Sequence, residues 1–414
     1  MYLNLQPLLI KDGYQHVSHN RRYTINCDKT KKDLGWDRQY DFEEGLDETV
    51  KWYMNNQGWV DRVRSGKYKK WIERNYEMRK NIIYGNKPLV SIITPTYNHE
   101  MFIEYCIKSV ISQTYSNWEM LIIDDASSDR TIEIIKQYVK NDVRIKYLKH
   151  KENYGIYRLS ESYNEALNIS RGKFVAILEG DDCWPRDKLE KQLPFFNEDE
   201  VVLTWGRGVY INTEGKLIGL VPFPKINPKS KCIYQNKPIG IVLKKLLLKN
   251  FIVPTASIII KKNTILSIGG FKQPLNICFV DYPTWLELSL KGEFRFLNYV
   301  LGYWRSHSSQ VTNLLSDKMS NDHANLSMMF LKNLSKCRVN FYYNENIIMA
   351  NNYWIMGKCK LVNKEWNKAR QYFWKVILKG SYKLKIKAII GLLASFFHIN
   401  LVGVDKLCKI LSKK

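Results

Sequence analysis

No Cys-x-x-Cys pair occurs among the eight cysteines, at positions 27, 106, 183, 232, 278, 337, 359 and 408, so free thiols in a reducing compartment are expected. The amino terminus, Met1-Tyr-Leu-Asn-Leu, lacks the basic start and long apolar stretch of a signal peptide. The uncharged segment 388–404 is seventeen residues long. As a helix it would reach about 26 Å, short of the roughly 30 Å hydrocarbon core of a bilayer, so no membrane span is expected. No glycine-rich dinucleotide loop opens the chain, which argues against a redox nucleotide site there. The lysines are spread along the chain without a recognised nucleic-acid motif, so nucleic acid is not the expected partner.

Acidic residues are also few relative to basic ones. The 414 residues carry 64 Lys and Arg against 40 Asp and Glu, a net charge of +24, which favours nucleotide diphosphates, lipid phosphates or an anionic membrane face. With 45% hydrophobic residues the chain can build a core, and its length suits two or three units.

Two aspartates, Asp181 and Asp182, end the run Lys173-Phe-Val-Ala-Ile-Leu-Glu-Gly-Asp-Asp-Cys-Trp184. Its composition is that of a buried parallel strand, which would release both carboxylates at the sheet edge where open α/β folds bind ligands. A helix-capping role before Pro185-Arg-Asp-Lys-Leu is the plainer reading of such a pair. The preceding chain favours the ligand site. Pro88-Leu-Val-Ser-Ile-Ile-Thr-Pro-Thr-Tyr-Asn98 reads as a strand and turn, followed by a helix with Phe102, Cys106, Ile107, Val110 and Ile111 on one face. Trp118-Glu-Met-Leu-Ile-Ile-Asp-Asp-Ala-Ser-Ser-Asp129 is a second strand ending in acids, followed by a helix through Thr131, Ile134, Ile135 and Val139. Residues 143–148 form a third candidate strand, then come the turn Asn153-Tyr-Gly155 and a helix over 162–169. The βαβαβαβ series predicts a doubly wound, largely parallel sheet.

These segments, with Gly172, Glu179-Gly-Asp-Asp182, Trp184, Gly269-Gly-Phe271, Asp281-Tyr-Pro-Thr-Trp285 and Tyr303-Trp-Arg-Ser-His307, resemble family 2 glycosyltransferases of the GT-A fold over about 88–312. The resemblance implies an α/β, Rossmann-like mixed sheet and a nucleotide-sugar donor. It puts Asp125 on the base with Pro95, Thr96 and Tyr97 beside it, Asp182 on Mg2+ or Mn2+, and Asp181 on the ribose or the water shell of the metal. Asp281 matches the base that deprotonates the acceptor; its plainer role is an N-cap for the helix of Trp285. Arg305 and His307 match positions near the diphosphate. Glu179 stands where many relatives carry aspartate, which leaves its role open.

Outside that segment, residues 15–76 resemble the carboxyl-terminal tail of dTDP-glucose 4,6-dehydratases through Arg21-Arg-Tyr-Thr-Ile-Asn26, Asp33-Leu-Gly-Trp36, Tyr40-Asp-Phe-Glu-Glu-Gly-Leu46 and Thr49-Val-Lys-Trp-Tyr53. A fragment without redox function is expected there, with Leu46, Val50 and Tyr53 on one face of a helix. Residues 347–361 and 366–378 predict a helix hairpin with Ala369, Phe373, Val376 and Ile377 inward. The stripe Ile389, Leu392, Leu393, Phe396 opposes Gly391, Ser395 and His398, and Lys383, Lys385, Lys387, Lys406 and Lys409 flank it, as in a helix lying on anionic lipid.

The expected organisation is therefore an α-rich fragment (1–84), a GT-A domain (88–315) and a helical region (320–414). The expected activity is inverting, metal-dependent transfer of a hexosyl or rhamnosyl group from a UDP- or dTDP-sugar. The acceptor is a glycan or lipid-linked glycan of surface polysaccharide assembly, at the cytoplasmic side, peripheral to the inner face of the membrane. The alternatives are a polyprenyl-phosphate glycosyltransferase and a catalytically silent nucleotide-sugar-binding module.

Overall fold

A computed structural model of the chain describes residues 41–64, 87–223, 231–334 and 343–399. The chain divides into two compact units, Met1–Ile83 and Tyr84–Lys414. In the first, helix α1 (Phe42–Asn55) starts at Asp41, whose carboxylate accepts the Glu44 N–H at 2.9 Å. Leu46, Val50 and Tyr53 are each about half exposed, at 52, 48 and 45%. The other segments of the dehydratase likeness, 15–40 and 65–76, lie outside the described residues, as do Lys406 and Lys409.

Among the described residues of the second unit, eight strands form one mixed sheet in the order β3-β2-β1-β4-β7-β5-β6, with β8 also paired to β5. They are β1 (Val90–Thr96), β2 (Trp118–Asp124), β3 (Ile145–Lys149), β4 (Phe174–Ile177), β5 (Val201–Ile211), β6 (Leu217–Leu220), β7 (Ile259–Lys261) and β8 (Glu293–Arg305). Every residue of β1, β2 and β4 is buried, which explains their continuous apolar runs: both faces are covered. Alternation survives within the burial. Ile93, Leu121 and Ile123 feed one core cluster, while Ile92, Met120 and Ile122 feed the other.

Strands β1 to β4 are parallel, and β2 and β1 end level, Thr96 opposite Asp124. The chain builds outward from β1 through β2 to β3, then returns to place β4 on the other side of β1. That reversal leaves a crevice beyond the carboxyl ends of β1 and β4. Helices α2 (Ile103–Ile111), α3 (Thr131–Asn141) and α4 (Leu159–Ile169) make the crossovers. Two expectations need correction. Ile111 is 39% exposed because the buried face of α2 ends at Val110, and Val143 is 90% exposed because β3 begins only at Ile145.

The other half adds β7, antiparallel to β4, then β5 antiparallel to β7 and β8 parallel to β5. Helix α5 (Asp281–Leu288) has Val280 as its N-cap, so Asp281 is the first helical residue rather than the cap. Helices α6 (Ser316–Leu334), α7 (Glu345–Val362), α8 (Trp366–Lys379) and α9 (Tyr382–Phe396) follow, with α7 and α8 forming the expected hairpin. They are tied to the sheet unit by polar contacts: Ser327 and Asn352 donate to the Leu247 carbonyl and Asn351 to that of Leu248.

Phe373 of α8 is fully buried among glycines. A Cβ on Gly357 of α7 or on Gly391 of α9 would come within 2.7 Å of its ring. This contact sets the packing of α9 and takes Leu392 inward, out of the expected stripe. Its small-residue side, Gly391 and Ser395 with Leu392, is buried, and Tyr382, Ile386, Ile389, Leu393 and Phe396 form the outward stripe, 37 to 80% exposed.

His323 of α6 lies stacked on Phe279 at 4.3 Å and edge-on to Tyr282 at 4.7 Å. Burial pushes its pKa down to about 4. The folded protein thus keeps the ring neutral while the unfolded chain protonates it near pH 6.5, and stability falls as pH drops from that value towards 4. His323→Leu should remove up to about 1.4 kcal/mol per pH unit of this loss. Urea melts at pH 7 and pH 5 measure it, as a smaller difference between the two in the variant.

Candidate active site

The acid motif begins after β4 has ended, so Glu179 to Asp182 occupy a loop over the crevice rather than strand positions. Backbone bonds fix that loop on both sides. Leu178 and Gly180 donate to the carbonyls of Ile93 and Pro95 at 3.0 and 3.1 Å, and Cys183 and Tyr303 exchange both their N–H···O bonds at 3.2 and 2.9 Å. Gly180 must be glycine here, because a Cβ would overlap Thr96 Oγ1 and lie 2.8 Å from His99 Nδ1. Trp184 is buried and donates through Nε1 to the Ala256 carbonyl at 2.7 Å.

Asp181 and Asp182 diverge. Asp182 is 4% exposed, and its Oδ1 accepts the Arg305 N–H at 2.9 Å. Asp181 Oδ2 lies 3.1 Å from His307 Nε2, and the His99 and His307 rings meet edge-on at 6.5 Å. Burial pushes the Asp181 carboxyl up, but the two histidines hold it below its ordinary value. Nothing comparable offsets burial at Asp182, which is driven well above the usual carboxylate range, with the Asp181 and Glu179 charges adding to the effect.

Glu179 turns inward, where Tyr163 of α4 donates to its Oε1 at 2.8 Å and its buried Oε2 has no hydrogen-bond partner. Burial, then the charges of Asp181 and Asp281, raise it to about 7. Asp281 is therefore within electrostatic reach of the acid loop at Glu179. Its own Oδ2 accepts from Asn250 at 2.7 Å, and burial raises its pKa despite that bond and one from the Tyr282 N–H. The glycine pair before it serves the same region: Gly269 and Gly270 have φ of +79° and +84°, and Phe271 and Asn164 of α4 exchange two hydrogen bonds.

At the β2 end, Asp125 stands beside the turn Pro95-Thr96-Tyr97, its N–H on the Thr96 carbonyl at 2.9 Å. Pro95 and Thr96 are buried, and Tyr97 is 45% exposed. Left-handed backbone at Asn98 (φ 51°) and Ala126 (φ 61°) lets the two turns interlock through Asn98 N–H to Ser127 Oγ and Ser128 N–H to Asn98 Oδ1, both 2.9 Å.

Arg305, expected near the diphosphate, is 1% exposed, and its guanidinium goes to the protein itself: Nε to the Asp181 carbonyl at 2.7 Å, Nη1 to those of Asn212 and Thr213 at 2.8 and 3.0 Å. His99, Tyr163 and Asn250 carry no sequence signal of their own. Only His99 is close to a quoted motif. The four cysteines whose side chains are described, at 106, 183, 278 and 359, are unpaired. A cavity of about 530 Å³ between β5, β6 and β8, lined by Arg207, Phe223, Tyr234 and Phe296, includes none of the acid residues.

Comparison with known proteins fits this architecture. The Glycosyl transferase family 2 profile matches residues 91–260. TuaG of Bacillus subtilis (strain 168), whose name describes a teichuronic acid biosynthesis glycosyltransferase, is 33% identical over 228 residues, 55% of this chain and 82% of that protein. The chain belongs to glycosyl transferase family 2. It is also 36% identical over 169 residues, 40% of this chain and 64% of that protein, to the Escherichia coli UDP-Glc:alpha-D-GlcNAc-diphosphoundecaprenol beta-1,3-glucosyltransferase WfgD. Among solved structures, TarS 1-349 of S. aureus in complex with UDP-GlcNAc superimposes with a TM-score of 0.50 at 15% identity, covering 76% of this chain and 90% of that one. The fold is accordingly of GT-A type.

Arg305→Lys should destabilise this glycosyltransferase, because one ammonium cannot replace a buried fork that serves three carbonyls at once. A loss on the order of 2 kcal/mol is expected in denaturant melts, the worth of one or two hydrogen bonds from a charged donor. Wild-type stability together with weakened nucleotide binding would instead make Arg305 a ligand residue.

Proposed function

We propose that the protein transfers a sugar, with inversion, from a UDP- or dTDP-sugar to a glycan or lipid-linked acceptor of surface polysaccharide, in a metal-dependent reaction. The observation that carries this reading is that Glu179, on the acid loop with Asp181 and Asp182, lies within electrostatic reach of Asp281 as well. In this reading Asp125 and the 95–97 turn receive the nucleobase, Asp181 the ribose side, and His307 the diphosphate. Arg305 acts through the loop it holds, not through its own guanidinium.

Mg2+ or Mn2+ fits the residues present. Glu179, Asp181 and Asp182 crowd three carboxylates into one buried loop, and a divalent cation would relieve that repulsion. Among the described residues no three His, Cys, Asp or Glu side chains are grouped to chelate an ion by themselves. One or two carboxylates completed by diphosphate oxygens and water is the usual arrangement for such hard cations in phosphate chemistry. Asp182 would be the ligand, with Asp181 on the water shell, and the ion would neutralise the charge that grows on the leaving diphosphate.

Asp281 serves as the base. The acceptor oxygen bonds to the anomeric carbon from the face opposite the diphosphate, the carbon–diphosphate oxygen bond breaks, and the acceptor proton passes to the Asp281 carboxylate. Burial raises the pKa of that carboxylate and so makes it the stronger proton acceptor. The name of WfgD, which specifies a diphosphoundecaprenol-linked acceptor, supports a lipid-linked acceptor here. So does α9, whose outward apolar stripe has Lys383, Lys385 and Lys387 beside it and would lie along anionic lipid. No described helix is long and apolar enough to cross a membrane.

Asp281→Asn should lower turnover by about 10²-fold or more while leaving nucleotide affinity nearly unchanged. Asp182→Ala, or excess chelator on the wild type, should cost at least about 10²-fold. Nucleotide release from a panel of UDP-, dTDP- and GDP-sugars is the assay, and full turnover in chelator would remove the metal from the reading. For the membrane face, vesicles with anionic lipid should retain more protein than neutral ones, less so as salt rises, and Leu393→Glu should abolish the difference. Equal retention on both vesicle types at low salt would make the stripe something other than a lipid contact.

A further inference from the structure

His150, the residue after β3, is a buried histidine that the reaction scheme leaves unused. Its side chain is 2% exposed, and each ring nitrogen faces a carboxylate: Nδ1 lies 2.8 Å from Asp125 Oδ1, and Nε2 lies 2.9 Å from Glu165 Oε2 on α4. The Tyr154 ring stacks on it at 3.9 Å, and the guanidinium of Arg158 covers the other face of Tyr154 at 3.8 Å. Its backbone N–H donates to the Asp124 carbonyl at 2.9 Å. The ring is therefore a fixed strut between the β2 end and α4.

Asp125 is what the strut fixes. Besides His150, Asp125 Oδ1 accepts the Tyr154 N–H at 2.8 Å, and Oδ2 accepts the Gly155 N–H at 2.9 Å. A carboxylate offers about four acceptor positions, so these three donors leave one, on Oδ2. The side chain is 14% exposed, enough for a ligand to reach it. One acceptor position matches one ring N–H, the pattern of uracil or thymine at N3. Guanine presents two adjacent donors, N1–H and the N2 amino group, and needs both carboxylate oxygens side by side. Oδ1 is already filled by His150 and the Tyr154 N–H.

We propose that His150, braced by Glu165, is a positioning residue that occupies Oδ1 of Asp125 and thereby makes the donor site select uracil or thymine nucleotides over guanine nucleotides. This rests on the reading that Asp125 meets the nucleobase.

The two nitrogens can be removed separately. An asparagine amide reaches where Nδ1 stood and keeps the Asp125 contact; a glutamine amide reaches where Nε2 stood and keeps only the Glu165 contact. Binding of UDP and of GDP, each with Mg2+, is measured by calorimetry on the full chain for wild type, His150→Asn, His150→Gln and Asp125→Ala. The wild type should favour UDP. His150→Gln should lower the UDP-over-GDP ratio by about tenfold or more, the worth of one charge-assisted hydrogen bond, and His150→Asn should largely restore it. A packing role alone would move both variants alike, and equal effects would overturn the proposal. If Asp125→Ala leaves UDP binding untouched, the assignment of Asp125 to the base fails first. If Asp125→Ala loses UDP while His150→Gln keeps its ratio, the assignment stands and the His150 inference alone falls. The wild-type arm needs no variant to fold: GDP bound as tightly as UDP would overturn the selection directly.

Discussion

The seam between residues 181–183 and 303–305 is the constraint on which the acid loop of this enzyme depends. β4 is only four residues long, and beyond it the pairing with β1 continues through Leu178 and Gly180, which hold one side of the acid loop. The other side is held by the far end of β8, through the paired Cys183–Tyr303 bridge, the Arg305 N–H on Asp182 and the Arg305 fork on the Asp181 carbonyl. Such a fork is expensive to bury and disruptive to remove, because it joins the Asp181 carbonyl to those of Asn212 and Thr213. The placement of the two aspartates is thus a tertiary property, set by a strand more than a hundred residues away in sequence.

The electrostatics follow from that geometry. A chain with net charge +24 nonetheless sets Asp181, Asp182 and Asp281 all within electrostatic reach of Glu179, and the environments separate their proton affinities. Asp181, flanked by His99 and His307, stays the most acidic. Glu179 and Asp182 are raised by burial and by their neighbours, and Asp281 chiefly by burial. Divergent environments around similar groups are how one pocket holds distinct acid and base roles.

Much of this was legible in the residues themselves. Strands buried on both faces leave unbroken apolar runs, and β1, β2 and β4 were visible for that reason; the acids at their ends mark the crevice once the strand order is known. What stayed hidden was carried by contacts without a local signature. The His150 bridge joins residues 25 and 15 positions apart, and no periodicity flags a lone histidine. Arg305 reads as a ligand residue because a buried guanidinium and an exposed one look alike in a motif. Glycine and serine on one side of α9 carry no packing signal of their own, whereas the bulk of Phe373 made small residues the requirement for contact.

That last contact reaches further than packing. A ring lodged between two glycines acts as an indexing pin: α9 can be turned about its axis only to the angle at which Gly391 meets Phe373. The direction in which Ile389, Leu393 and Phe396 point is therefore decided inside the helix bundle, not by whatever they meet outside. An alanine at position 391 would rotate or lift the helix and swing its outward stripe away, altering what the surface presents without changing any residue on that surface.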